Sequence, residues 1–463
     1  MNTRRTAHSQ HGTSATRRSL LQTGAIGAVA SVALPSPWRA DAVGAAPVGN
    51  PGPAIHPRGA QTTEGGFSTS GLERMHETMT GLVDNGVAPG LVTLIGRDGE
   101  IHADAIGTMA VDGGEPMRRD TIFRIASVTK PITAVAAMIL VEEGVLGLDA
   151  PVNGFLPELA DRQVLRSLES EVDDTVPAER PLTPRDLLTF RSGYGLIFDP
   201  PGTYPIQEAI AASGAFPNIE TGEFLPQLPA DELMAAYGEL PLLHQPGEAW
   251  LYNSGSDLLG VLIARASGMS LGGFMQERIF APLGMVDTGF SVPADKLDRL
   301  PPSYWTNPET GEPRQTDGVD DSLWASPPIF ESGAGGLVST ADDLLAFGQM
   351  MRNTGAYPGG RILSRPSVEL MTIDHITPEQ KAASPYFPFS WDNLGWGFGV
   401  SVVTRRDDLR SVGWYGWYGG TGIAWGVDPR EGLVGILLTQ SVDVLFSGAI
   451  EAFWTATYAA FAD

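Results

Sequence analysis

Apolar and polar positions alternate along this chain in two distinct rhythms. Residues 72–85 carry apolar groups at helical spacing and predict an amphipathic helix. Two short runs of strand character follow, Gly90 to Arg97 and Ile101 to Thr108, joined at Asp98-Gly99, a favoured hairpin pair. An apolar helix then extends from Ser127 to about Gly144, and Thr183-Pro184 opens another over Leu182 to Leu188. Helical patterns recur from Ser254 or Asp257 to Ala266 and from Leu271 to Phe280. Thr340 is placed to cap a further helix, with Asp343 closing a capping box. From about Gly395 strand patterns return, with Thr421 to Val427 and Leu433 to Gln440 forming a hairpin, and a last helix covers Phe446 to Phe461. Strands at both ends with helices between them predict an α+β fold. Its antiparallel sheet is built from the two ends of the chain and flanked by helices, and a mostly helical lobe is inserted.

The N-terminal segment changes this picture only by removing itself. Thr16-Arg17-Arg18-Ser19-Leu20-Leu21 is a twin-arginine pattern, followed by a weakly apolar stretch too short and too rich in Ala and Gly to span a bilayer. Ala40-Asp41-Ala42 offers a cleavage site, so residues 1–42 are expected to be a signal peptide and the protein to act in the periplasm or outside the cell, with no membrane anchor left. Residues 43–70, rich in Gly, Pro, Ala and Thr, are expected to be a disordered linker before a single domain over 71–463. The 463 residues carry a net charge of −24, and loss of five arginines and Asp41 with the signal takes this to −28. Such a chain repels nucleic acid. It has no cysteine, which excludes disulfides and thiolate metal sites, and its acidic residues show no metal spacing.

Only three lysines occur, and Lys130 stands three places after Ser127, at the head of the apolar helix. A serine there meets free N–H groups and the positive end of the helix dipole, which favour a developing oxyanion. Lysine at i+3 shares its face and can take its proton. Pro131 is tolerated because its missing N–H falls among the unpaired donors of the first turn. A second proton-handling group is available in Tyr252, either as a base or acid whose phenol pKa is lowered by the Lys130 ammonium, or as an ordinary tyrosine packed before a helix. The run Gly413 to Gly422 could supply a backbone N–H beside Ser127, or be a glycine-rich loop with exposed aromatics.

These three segments, in this order, resemble the serine beta-lactamase-like hydrolases: class C beta-lactamases, DD-peptidases and family VIII carboxylesterases. The resemblance extends over residues 71–463. It includes Leu182-Thr183-Pro184-Arg185-Asp186-Leu187-Leu188, Gln245-Pro246-Gly247-Glu248, Phe280-Ala281-Pro282-Leu283-Gly284-Met285 and Gly335-Gly336-Leu337-Val338-Ser339-Thr340. It implies that Ser127 is acylated, that Lys130 accepts its proton and that Tyr252 is the general base or acid. The family's Lys-Thr-Gly motif falls on Trp417-Tyr418-Gly419. Trp414-Tyr415-Gly416 also fits locally, but the spacing to Asp428-Pro429 favours the later copy. The N–H groups of Ser127 and Gly420 then form the oxyanion hole. Two positions depart from the lactamase pattern: Ser254 stands where an asparagine contacts a substrate amide, and Trp417 replaces the lysine that assists with a substrate carboxylate. A tryptophan walls an apolar pocket instead.

The expected activity is therefore cleavage of small uncharged esters through an acyl-enzyme on Ser127, without cofactor or metal. Ser254, Trp417, Gly419 and Gly420 would bind substrate, and Tyr194, Phe198 and Trp391 would help to line the pocket. The alternatives are a DD-peptidase or beta-lactamase, a transacylase, and a catalytically silent envelope-binding homologue. Gly268-Met269-Ser270-Leu271-Gly272 matches the G-x-S-x-G elbow, but it follows a helix where that elbow must follow a strand, so Ser270 is expected to be structural. The histidines 56, 76, 102, 244 and 375 sit in no triad context.

Overall fold

The Asp98-Gly99 pair turns as its residue types demand: both take positive φ, 50° and 90°, and so close a tight hairpin between β1 (Gly90–Arg97) and β2 (Glu100–Ala110). The computed structural model describes residues 66–462, apart from 218–224, 308–309 and 385–389. The expected signal peptide and most of the expected linker lie outside the described residues. The linker's final residues, 66–70, belong to the fold. Phe67 is fully buried against Phe461, and Ser68 caps α1 (Thr69–Asp84) by accepting from the Gly71 N–H, so the ordered domain starts before residue 71.

Beyond β3 (Gly113–Pro116) and β4 (Phe123–Arg124), the buried helix α2 (Thr129–Glu142) begins a long helical stretch. It contains α3 (Pro184–Leu188), α4 (Ile206–Ser213), α5 (Ala230–Glu239), α6 (Ser254–Ser267) and α7 (Leu271–Met275). A ribbon of β5 (Ser303–Thr306) and β6 (Pro313–Asp317) follows, then β7 (Val338–Ser339) and α8 (Ala341–Arg352). The chain returns to the sheet with β8 (Leu394–Trp396), β9 (Ser401–Val403), β10 (Tyr415–Gly419), β11 (Ile423–Asp428) and β12 (Leu433–Leu438), and ends in α9 (Ala449–Ala459).

The main sheet has the order β8-β9-β10-β11-β12-β1-β2-β3, and its paired strands run antiparallel. The two ends of the chain therefore meet at its centre, where Val92 pairs with Leu438 and Arg97 with Leu433. All eight residues of β1 and all six of β12 are buried, as strands covered on both faces must be. Alternation along β12 sends Val434 towards α8 and Gly435 towards α9, where a Cβ would meet Trp454 at 2.5 Å. This is the α+β architecture the pattern predicts.

Local corrections have identifiable causes. Thr340 caps α8 by accepting from the Asp343 N–H, but no reciprocal box closes, because the Asp343 carboxylate accepts instead from the Asp287 N–H and the Thr288 hydroxyl. The full box forms at Thr183 and Asp186. Helix α7 continues through a π-helical turn over Gln276–Phe280. Among the described residues, no single helix is long and apolar enough to cross a membrane.

Candidate active site

Ser127 is carried by a 3-10 turn, Ala126–Val128, that leads from β4 into α2, so it sits two residues before the helix proper. Ala126 immediately before it has φ 43°, a conformation that costs a non-glycine residue about 1–3 kcal/mol and marks a constrained turn. Lys130, one turn on, is fully buried. Its three ammonium donors reach Ser127 Oγ at 2.9 Å, Asn253 Oδ1 at 2.8 Å and the Ala334 carbonyl at 2.7 Å. Burial pushes the Lys130 pKa down to about 7, against the opposing charge of Asp257.

Tyr252 borders the same cavity as Ser127. Its hydroxyl oxygen accepts from the Trp417 indole N–H at 2.8 Å, and its ring faces the Lys130 amino group, 4.6 Å from the centroid. The pKa relationship expected from sequence is reversed. Burial drives the Tyr252 phenol up to about 12, outweighing its hydrogen bonds to Ser127 and Trp417, and the lysine is the group brought near neutrality. The lysine does not oppose this shift, because its ammonium meets the π-face of Tyr252 rather than the hydroxyl, and its donors are spent on Ser127, Asn253 and Ala334.

The asparagine missing from the expected motif position is supplied one residue earlier. Asn253 takes φ 86°, which asparagine tolerates better than most residues, and this turn directs its amide to Lys130. Ser254 begins α6, is 1 % exposed and does not line the cavity, so its expected substrate contact is not made. The third motif falls on the later copy. Trp417, Gly419 and Gly420 border the same cavity as Ser127, whereas Trp414 packs edge-on against Trp454 in the core. At Gly419 a Cβ would lie 2.5 Å from the Ile125 carbonyl, so the close approach of β10 to the Ser127 turn requires glycine. Gly420 faces open space, with its backbone on the rim of the cavity.

The cavity measures about 240 Å³ and is walled mainly by apolar groups, among them Leu196, Phe198, Leu225, Trp305, Trp324, Leu445 and Phe446. Of the aromatics expected there, Phe198 is present. Tyr194 is buried in the helical core with its hydroxyl donating to the Tyr237 carbonyl, and Trp391 packs on Trp250. The walls contributed by Trp305 and Trp324 carry no motif, since the β5–β6 ribbon and the following loop reach the site only in three dimensions. Arg124 also borders the cavity, but its guanidinium is committed to Asp317, the Pro301 carbonyl and Gln440. Ser270 is the exposed N-cap of α7, accepting from Gly273 at 3.0 Å, as expected of a structural serine. His375 stacks on Phe398, and His76, His102, His244 and His375 all lie off the cavity. Among the described residues no three acidic or histidine side chains cluster as a metal site would need.

The model of the family described as Beta-lactamase matches residues 75–458. Protein Rv1367c of Mycobacterium tuberculosis is 38 % identical over 364 residues, covering 77 % of this chain and 87 % of the relative. Esterase EstB of Burkholderia gladioli is 32 % identical over 381 residues, covering 78 % and 88 %. Among solved structures, EstCE1, described as a hydrolase with promiscuous acyltransferase activity, superposes with a TM-score of 0.68 at 25 % identity, covering 84 % of this chain and 98 % of its own.

Proposed function

This chain belongs to the beta-lactamase family, with esterase and acyltransferase relatives, and from that premise we propose that it is a serine esterase forming an acyl-enzyme on Ser127. The observation that carries the proposal is the set of partners around Lys130. Two of its three contacts, the Asn253 side-chain oxygen and the Ala334 carbonyl, can only accept hydrogen bonds. A neutral amine has two N–H donors and one lone pair. Satisfying both acceptors therefore turns the lone pair to the remaining partner, the Ser127 hydroxyl. With a pKa near 7, Lys130 is available in that form at neutral pH.

The chemistry then follows from the arrangement. The Ser127 proton passes to Lys130 Nζ as Oγ bonds to the ester carbonyl carbon. The N–H groups of Ser127 and Gly420 receive the negative oxygen of the tetrahedral intermediate. Collapse breaks the bond to the alcohol oxygen, which takes the Tyr252 hydroxyl proton and leaves a phenolate, while Lys130 keeps the serine proton until the acyl group departs. Water repeats the sequence in reverse and releases the acid.

The substrate class is read from the cavity. Tryptophan at position 417 offers no positive charge, its indole N–H is engaged by Tyr252, and Arg124 is already paired, so uncharged apolar esters suit the site better than carboxylate-bearing lactams or peptides. In the expected outcome, short p-nitrophenyl esters are turned over by the wild type and not by Ser127→Ala, while a chromogenic cephalosporin is turned over far more slowly. Full ester activity in Ser127→Ala, or a preference for the cephalosporin, contradicts the proposal. Export by the twin-arginine route remains part of the same reading. It is tested by whether replacing Arg17 and Arg18 with lysine retains the protein in the cytoplasm.

A further inference from the structure

Asp257 is the buried ionisable group closest in chemistry to the site that the mechanism above leaves idle. It lies in the first turn of α6, in a sequence that is otherwise apolar from Leu258 to Ile263, and it is 1 % exposed. One carboxylate oxygen accepts from the Ser332 hydroxyl at 2.6 Å and from the Ala334 N–H at 3.1 Å, while the other has no hydrogen-bond partner. A half-satisfied carboxylate in a helix core costs several kcal/mol and is not what packing alone selects.

Its partners lead directly to the catalytic lysine. The peptide unit that donates to Asp257 through the Ala334 N–H belongs to the residue whose carbonyl accepts from Lys130 at 2.7 Å. The same turn is pinned to α2, because the Thr133 hydroxyl donates to the Gly333 carbonyl. It also lies flat on α6, where a Cβ at Gly333 would stand 2.4 Å from the Ser256 carbonyl. The Ser332–Ala334 turn is thus a rigid bridge with a carboxylate at one end and the amino group at the other.

We propose that Asp257 is a positioning residue for the acyl-transfer site: through this bridge it holds the Ala334 carbonyl against Lys130 and acts as the buried counter-charge of the lysine. The inference rests on Lys130 serving as the base. The titratable groups that face the pair from the packed elements are Tyr252 and, from α5, Tyr237, and burial holds both phenols protonated. Burial raises the Asp257 pKa and lowers that of Lys130, while the mutual attraction of the two works against each shift. The carboxylate therefore keeps Lys130 protonated to higher pH than burial alone would.

The test is the pH dependence of Ser127 labelling by a fluorophosphonate, which needs no knowledge of the natural ester. Asp257→Asn keeps an oxygen for Ser332 and Ala334 but removes the charge. The rising limb of the labelling rate is expected to move to lower pH by about one unit. Asp257→Glu restores the charge and should return the limb towards its wild-type position, even at a reduced rate. Should Asp257→Asn fail to fold, Ser332→Ala serves. It removes one bond that stabilises the anion, so the limb should move in the same direction by a smaller amount. A limb that stays in place in folded Asp257→Asn, or in Ser332→Ala where that is the variant available, overturns the inference. Absence of labelling in the wild type overturns the esterase reading itself, and the two failures are thereby distinct.

Discussion

The indole N–H of Trp417 donates to the hydroxyl oxygen of Tyr252 across 2.8 Å, joining the residue that departs most from the lactamase pattern to the group proposed as the acid. The bond occupies a lone pair of Tyr252 and leaves its O–H free to point at the reacting oxygen. Trp417→Phe keeps an aromatic side chain, though a smaller one, and removes the donor. Loss of one such bond is expected to lower kcat about tenfold on simple alkyl esters, whose alcohol must be protonated to leave, with a smaller change in KM. An unchanged kcat would show that the contact is only packing.

The depressed Lys130 pKa fixes the pH profile. Only the neutral amine can accept the serine proton, so kcat/KM should rise with pH through about 7 and then level off. Tyr252 must stay protonated, and its pKa of about 12 puts no falling limb in the ordinary working range. Lys130→Arg carries a charge that cannot be shed and should lose activity by on the order of 1,000-fold. A profile that falls between pH 7 and 9 contradicts this assignment.

Gly419 and Gly420 are neighbours with opposite tolerances. A methyl at Gly419 meets the Ile125 carbonyl at 2.5 Å and must push β10 away from the nucleophile turn, whereas a methyl at Gly420 meets nothing within 4 Å. Gly419→Ala is expected to cut kcat by about 100-fold, the usual effect of displacing an oxyanion donor, and to lower Tm. Gly420→Ala should leave Tm unchanged. Equal Tm values for the two variants would contradict this account of the strand's approach.

Arg124 holds the walls of the cavity. Its guanidinium is 1 % exposed, pairs with Asp317 at the end of β6, donates to Ser322 at 3.1 Å and lies 5.3 Å from the Trp324 ring centroid. Replacing it with methionine leaves Asp317 largely buried without its partner and should destabilise the protein by about 3 kcal/mol, measured by urea unfolding. Under conditions where the variant is folded, KM for long acyl esters should rise more than KM for acetate esters, because Trp305 and Trp324 lose their anchor.

How much of this was legible in the sequence depended on whether the signal was local. The Asp98-Gly99 hairpin, the Thr183-Pro184 helix start and the β11–β12 hairpin are written in adjacent residues, and the structure has them. Ser127, Lys130, Tyr252 and the later Trp-Tyr-Gly copy are likewise brought together, since each is fixed by its own short motif. What escaped was geometry between segments. Counting residues placed Ser254 at the asparagine position, but the positive φ of Asn253 turns the preceding residue inward instead. The direction of the Tyr252 pKa is not legible because sequence shows that a lysine is near, not that the phenol is fully buried with the ammonium against its ring face. Trp305 and Trp324 had no signal, whereas Asp257, a lone acid heading an apolar helix run, offered one.

The central claim is a covalent acyl group on Ser127. The most direct test is to mix the protein with a p-nitrophenyl ester, quench in acid within the burst, and digest for mass spectrometry. The account predicts that the peptide containing Ser127 gains the mass of the acyl group, that fragmentation places it on that serine, and that Ser127→Ala gains nothing. An acyl group found on Ser270, or turnover by Ser127→Ala at the wild-type rate, would contradict it.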